Sequence, residues 1–210
     1  MTERLRRKRN IFVSSCEPLL SIGPRSGIAP AMPYEPPPEL AAMTLEQIAG
    51  LAAARKLPPV DQWDPQASSD SLMQIKSDGR WFHNGGEIKR RAMIRAFASL
   101  LRRDADGQHW LVTPHEKQSI AVDDAAFIAV DVVRQGDALI FRLGTDEDFV
   151  AGPDHPLIAR GTTELPAIYL AVRHGTEARL NRSTWLQLVD LADADLSVTS
   201  QGARFSLVPG

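Results

Sequence analysis

The run Ser77-Asp78-Gly79-Arg80-Trp81-Phe82-His83-Asn84-Gly85-Gly86-Glu87-Ile88-Lys89-Arg90, a helix-like segment, and then Asp106-Gly107-Gln108-His109-Trp110-Leu111-Val112-Thr113-Pro114-His115-Glu116-Lys117 decide how this chain is read. Asp78-Gly79 is a strong hairpin-turn signal between the strand-like runs 72–75 and 80–83. Trp81 and His83 share one face of the second run and Phe82 takes the other, because side chains alternate along a strand. Asn84 and Glu87 stand at capping-box spacing around Gly85-Gly86, which predicts that a helix opens there. Its apolar stripe is Met93, Ile94, Phe97, Leu100 and Leu101, with Arg91, Arg95, Ser99 and Arg102 opposite. Asp106-Gly107 then turns the chain into a strand from His109 to Thr113 that stops at Pro114, and Ile120 and Val122 indicate a further short strand.

Downstream, from Ala126, the pattern becomes one of successive β-hairpins. Ile128, Val130 and Val132 are expected on one face of a strand, Gln135-Gly136-Asp137 turns, and Leu139, Phe141 and Leu143 alternate on the return. Residues 152–156 read as a loop, 169–173 and 177–180 as strands, 183–192 as a helix, and 196–200 with 204–208 as a closing hairpin. Upstream, Thr44 caps an expected helix reaching about Lys56, stopped by Pro58 and Pro59, with Gln47 completing a capping box. Residues 60–71, with Trp63 and Pro65, read as a packed connector. Residues 1–43 read as a tail: Arg4 to Arg9 is a basic run, and Pro24, Pro30, Pro33, Pro36, Pro37 and Pro38 prevent regular elements. That tail is either a disordered extension or an overcalled gene start with Met43 as the true beginning.

Composition narrows the classes. The chain has 210 residues, 43% of them hydrophobic, enough for one large or two small packed domains. Its single cysteine, Cys16, can form neither an intramolecular disulfide nor a thiolate cluster, which fits a reducing compartment and the cytoplasm. Val13-Ser14-Ser15-Cys16 has the small-residue pattern of a lipoprotein cleavage site, but the apolar stretch before it is too short for a signal peptide. Residues 1–43 hold six of the 24 basic and four of the 26 acidic residues, leaving 18 against 22 in the rest, a balance of −4. A mildly acidic folded part disfavours nucleic-acid binding, and no run is long enough for a membrane span.

Two stretches follow one plan. In the first, an aromatic strand and a glycine turn lead through Ile88 and Arg90 into a helix, then through Gly107 to Trp110, Val112 and Pro114. In the second, a strand and Gly175 lead through Leu180 and Arg182 into a helix, then through Gly202 to Phe205, Leu207 and Pro209. This indicates an internal duplication and an α+β fold of two related small domains, 44–117 and a β-rich 118–210. Each has antiparallel strands and one main helix.

Asp78-Gly79-x-Trp81-x-His83-x-Gly85, Ile88-x-Arg90 and Val112-Thr113-Pro114-x-Glu116-Lys117, followed by Asp123-Asp124-Ala125, resemble the bacterial "domain of unknown function twelve eighty-five" family over residues 45–208. The resemblance implies two related α+β domains, the second similar in outline to pleckstrin-homology domains. It also implies a binding site at their interface and a role in signal transduction. The family supplies no catalytic residues.

The residues suggest one anion-accepting corner. Lys89, Arg90 and Arg91 fall in the expected first helical turn, where the macrodipole disfavours cations by roughly 0.3 to 1 kcal/mol each. Free amides at Gly85 and Gly86 with the Arg90 fork could hold an anion, and Arg182 would repeat the arrangement. The competing reading is internal neutralisation by Glu87, Asp123 or Asp124. Thr113, Glu116 and Lys117 crowd a hydroxyl, an acid and a base together, but Glu116 and Lys117 point to opposite sides of an extended chain. The five histidines, His83, His109, His115, His155 and His174, have no metal-ligand spacing, and the chain carries no phosphate-binding loop, dinucleotide fingerprint or nucleophile elbow, so no cofactor or metal is expected. Trp81, Trp110 and Trp185 fit core positions.

Two functional readings remain. One is a cytoplasmic ligand- or protein-binding module with a regulatory role, its site drawn from Trp81, His83, Gly85, Gly86, Arg90, Thr113, Glu116, Lys117 and Arg182. It would take a small anionic ligand or a protein partner. The alternative is an interdomain-cleft enzyme using Glu116 or His83 for general acid–base catalysis on an anionic small molecule. From the proline spacing of the tail we expect trypsin to remove residues before Met43 and leave a resistant core. Slow amide exchange within residues 4–38 would contradict this.

Overall fold

The computed structural model describes residues 58–210, so the tail and the helix expected at Thr44 lie outside the described residues. A short 3-10 turn, Val60–Gln62, leads into β1 (Ala67–Ile75), β2 (Trp81–His83), β3 (Gly86–Ile88), helix α1 (Arg91–Ala98), β4 (Leu101–Arg103), β5 (His109–Val112) and β6 (Glu116–Val122). These strands form one sheet in the order β3-β2-β1-β6-β5-β4, in which every pairing is antiparallel except that of β1 with β6. The second sheet holds β7 (Phe127–Gln135), β8 (Ala138–Leu143), β9 (Asp148–Val150), β10 (Leu157–Gly161), β11 (Pro166–Ala171) and β12 (Glu177–Leu180), in the order β10-β11-β12-β7-β8-β9. Again the first and last strands pair in parallel and the others antiparallel. Helix α2 (Arg182–Asp190) and a hairpin of β13 (Ser197–Ser200) and β14 (Ala203–Ser206) complete the chain.

The two sheets thus share one topology, two three-stranded meanders joined by a parallel pair, and the duplicated α+β fold stands. The unit read in the sequence is a different one. Hairpin, helix and hairpin recur as β2–β3, α1, β4–β5 and as β11–β12, α2, β13–β14, but β3 is an edge strand while β12 is central, and β13–β14 is a separate sheet. Arg90 is the N-cap residue of α1, whereas Arg182 is already inside α2, behind Asn181. The change of sheet falls between Val122 and Phe127, because β6 pairs with β1 along Glu116–Val122.

Four local expectations change. Asn84 and Gly85 have φ of 46° and 80°, so they form the two-residue turn that links β2 to β3, with His83 opposite Gly86, and no helix opens there. An Asn-Gly pair takes positive φ at low cost, and this outweighed the capping-box spacing. At its other end α1 stops at Ala98, so Leu101 and Arg102 lie in β4, and Ser99 is buried with its hydroxyl donated to the Ala96 carbonyl at 2.7 Å. The expected connector 60–71 supplies the first half of β1, which pairs with β6. In β7 the register slips between Ala129 and Asp131, so Phe127, Ala129 and Val132 are buried while Ile128 and Val130 face the other way.

The buried side chains of both halves form one continuous cluster, with Ile75, Trp81, Phe97, Leu111 and Ile120 on one side and Leu139, Phe141, Leu143, Leu170 and Leu188 on the other. Trp81 stacks on Phe97, ring centroids 6.4 Å apart. Helix α2 is capped by Asn181, whose side chain accepts from the Thr184 amide at 2.8 Å, and is tied to β7 by the Thr184 hydroxyl donating to Ala129 O. Two tight turns, one from each half, press on the opposite half. A Cβ on Gly79 would lie 2.8 Å from Ile128 Cγ1, and one on Gly175 would lie 2.8 Å from the Arg103 carbonyl oxygen. The Arg103 amide closes this second contact by donating to His174 O at 2.9 Å. His174 Nδ1 is 2.7 Å from Asp61, at ion-pair distance but without hydrogen-bond alignment.

Arg173 is the polar clamp of the junction. Its side chain is 9% exposed and meets Glu147 through both terminal nitrogens, at 2.7 and 3.1 Å. It also donates to Ala98 O at the end of α1, 3.2 Å away, and lies over the Phe127 ring.

Glycine substitutions should rank by what the added methyl meets. Gly85→Ala, with open space around it, should cost about 1 kcal/mol for its positive φ alone. Gly175→Ala meets immovable backbone and should cost more, while the loss in Gly79→Ala should be partly recovered by adding Ile128→Ala; urea melts of the four variants check this. Arg173→Met should cost about 2 kcal/mol, since it leaves the partly exposed Glu147 with the Thr145 hydroxyl in place of a charged partner. A loss under about 1 kcal/mol would show that the clamp is dispensable.

Candidate functional site

Where the two sheets meet, a cavity of about 360 Å³ opens between the β1–β2 turn, α1, the start of β7, the β8–β9 turn and the N-cap of α2. Such a volume lies at the small end of ligand sites. Its floor is apolar. Trp81 comes from β2 and Ile94 from α1, and Phe127, Ile128 and Val130 come from β7. The slip in β7 brings Ile128 and Val130 here, turning two apolar side chains away from the second sheet's core, and Val130 is 38% exposed as a result.

The polar rim is sparse. Arg91 and Arg95, one helical turn apart, project from α1. Arg95 pairs with Asp146 of the β8–β9 turn. Arg91, the first residue of the helix, has no ion-pair partner among the described residues, and the first turn contains no acid. Asp78 belongs to the rim as well, but its carboxylate accepts from the Arg80 amide at 3.1 Å and from the Arg80 guanidinium at 2.7 Å. Those two bonds hold it below the usual carboxylate range. Asn181, also on the rim, engages its side-chain oxygen with Thr184 and Ser183, and its amide nitrogen has no hydrogen-bond partner among the described residues. Thr145 donates its hydroxyl to Glu147 at 2.8 Å, joining the cavity wall to the Arg173 clamp.

Of the residues expected from sequence, Trp81 alone lines this cavity. The corner built from Gly85, Gly86 and Arg90 does not form, because Gly85 lies in the β2–β3 turn, Gly86 opens β3, and the rest of that strand with Lys89 stands between them and the helix start. Arg90 is exposed, and among the described residues no ion pair joins it to Glu87, Asp123 or Asp124: Asp123 pairs with Lys76 at 3.4 Å and Asp124 with Arg179 at 2.6 Å. Arg182 is exposed at the start of α2.

Thr113 and Glu116 close the β5–β6 turn. The Thr113 amide and hydroxyl both donate to Glu116 O, at 2.9 and 2.8 Å, and the buried Glu116 carboxylate lies 3.5 Å from Gln118 Nε2. Lys117 points the other way, as alternation requires, and sits over the Trp110 ring at 4.8 Å. His83 ends β2, half-buried, and burial lowers its pKa. Neither Glu116 nor His83 lines the cavity.

The residues that the sequence reading missed carried one visible signal. Arg91 and Arg95 were legible as the polar side of α1, but nothing local showed that this side faces β7. Among the described residues no group of three or more histidines, cysteines or acids is placed to hold a metal ion, and no helix is long and apolar enough to cross a membrane.

Comparison with known proteins agrees with this two-part architecture. Residues 58–125 match the domain of unknown function DUF1285, N-terminal domain, and residues 126–207 match the protein of unknown function DUF1285, C-terminal domain. No curated protein matches the chain. A DUF1285 family protein from Silicibacter pomeroyi DSS-3 is similar at 37% identity and a TM-score of 0.69, over 79% of this chain and 94% of that one. Another, from Shewanella baltica OS155, is 25% identical with a TM-score of 0.48, over 57% of this chain and 91% of that one. With both halves matched in order and the sheet change lying where the two family domains meet, the chain belongs to the DUF1285 family.

Proposed function

We propose that this protein is a cytoplasmic ligand-binding module with a regulatory, signal-transducing role, and that its interdomain cavity accepts a small anion. One observation carries the reading: Arg91 lines the cavity with no carboxylate partner among the described residues, at a helix start that has no acid to offset it. Arg91 is exposed at the cavity mouth, where its guanidinium can pair with an anion by charge-assisted hydrogen bonds that no protein group supplies among the described residues. The apolar floor and few polar groups match what a binding site needs. Catalysis finds less support, since Glu116 and His83 lie away from the cavity and a general acid or base has to reach the substrate. The family resemblance implies a second half similar in outline to pleckstrin-homology domains, and that implication favours a regulatory over a metabolic role. A position between two domains also lets occupancy bias their packing, which is how a binding event becomes a signal.

Melts of the full chain, titrated with small anions at constant ionic strength, test the site. A saturable rise in Tm following mass action is expected, about 2.7 kcal/mol of stabilisation at a hundredfold excess over Kd. Arg91→Ala should abolish the rise, and Arg90→Ala should keep it. Loss in Arg90→Ala alone, or a response unchanged in both, would overturn the assignment.

A further inference from the structure

Resting on the anion-site reading, we propose that the cavity selects an amphipathic monocarboxylate, a carboxylic acid with an aliphatic or aryl body, over phosphorylated compounds. The argument starts from the charges that remain once internal pairing is counted. Arg95 is neutralised by Asp146, and Asp78, held ionised by Arg80, adds no attraction for an anion. Arg91 is the cavity-lining cation left over among the described residues, so the site offers one positive charge. A phosphate ester carries close to two negative charges at neutral pH and is recognised by clusters of arginines or by several free amides. Arg95 is paired and the glycine amides are in the β2–β3 hairpin, so beyond the Arg91 guanidinium α1 offers only the uncapped amides of its start.

A carboxylate, by contrast, needs a planar pair of donors, which a guanidinium supplies bidentately. The Asn181 amide nitrogen adds a neutral donor on the rim, because its oxygen is already engaged in capping α2. The remainder of the lining calls for an apolar partner. Ile94, Phe127, Ile128 and Val130 all line the cavity, and the slip in β7 that exposes Val130 leaves apolar surface that a hydrocarbon body would cover. A ligand with one negative head and an apolar body satisfies both parts at once. A compact dianion pairs with Arg91 but leaves the apolar lining uncovered.

Calorimetric titration of the full chain with hexanoate, phenylacetate, inorganic phosphate and hexylamine reads this out. Hexanoate or phenylacetate should bind at least tenfold more tightly than phosphate, and hexylamine should not bind. Arg91→Gln should weaken the carboxylates by tenfold or more. Val130→Ser should weaken them while leaving the unliganded Tm unchanged. Arg91-dependent phosphate binding as tight as that of the carboxylates would overturn the monocarboxylate assignment and leave the anion site standing. Hexylamine binding as well as hexanoate would overturn it too, and no binding by any of the four would overturn the assignment together with the reading beneath it.

Discussion

Parallel pairing of the first strand with the last is the constraint on which each half of this protein depends. Each sheet is two three-stranded meanders, and the parallel neighbours that join them cannot be linked by a short turn. In the N-terminal half everything from β2 to β5, α1 included, acts as the crossover that lets β6 lie beside β1. The pairing is long, from Ala67 opposite Glu116 to Ile75 opposite Val122, and it absorbs an irregularity after Asp70 that the Ser71 hydroxyl spans by donating to Ser119 O at 2.6 Å. In the C-terminal half β7 and β12 make the same joint over three residue pairs, and α2 follows it.

Because both joints sit at the centre of their sheets, the connecting turns are carried to the rims, and there the halves meet. Gly79 and Gly175 allow two of those turns to touch the opposite half without a side chain in between. Arg173 adds a polar contact that reaches both Glu147 and the end of α1, so the helix carrying Arg91 and Arg95 is held against the second half. The cavity is what remains between these fixed contacts. Its apolar wall comes from β7, and its polar groups come from α1, the β1–β2 turn and the cap of α2.

The electrostatics of the junction follow one pattern, in which most charges are satisfied within the protein. Arg160 meets Glu177 through two contacts at 2.7 and 2.6 Å and lies over Tyr169, and Tyr169 and Arg179 both hold Asp124. Against that background Arg91 stands out by what it lacks. It shares the cavity with Ile128 and Val130, side chains that a regular strand would have turned into the core, and it has no ion-pair partner among the described residues.

The sequence by itself determined the elements whose signals are local. The Asp78-Gly79 turn, the strands 109–112 and 177–180, the alternation of Leu139, Phe141 and Leu143, and the presence of two α+β domains all follow from turn chemistry and side-chain period. The Asn84-Gly85 stretch carries both a capping-box spacing and a hairpin pair, and only the pairing of β2 with β1 and β3 decides between them. Face assignment in β7 failed for a related reason: a one-residue slip reverses the inward and outward sets, and no residue between Ala129 and Asp131 announces it. The candidate site depended on tertiary structure almost entirely. Trp81 was legible as an aromatic, but the cavity joins residues from positions 78 to 181, and which polar face meets which apolar strand is set by long-range packing that no local spacing encodes.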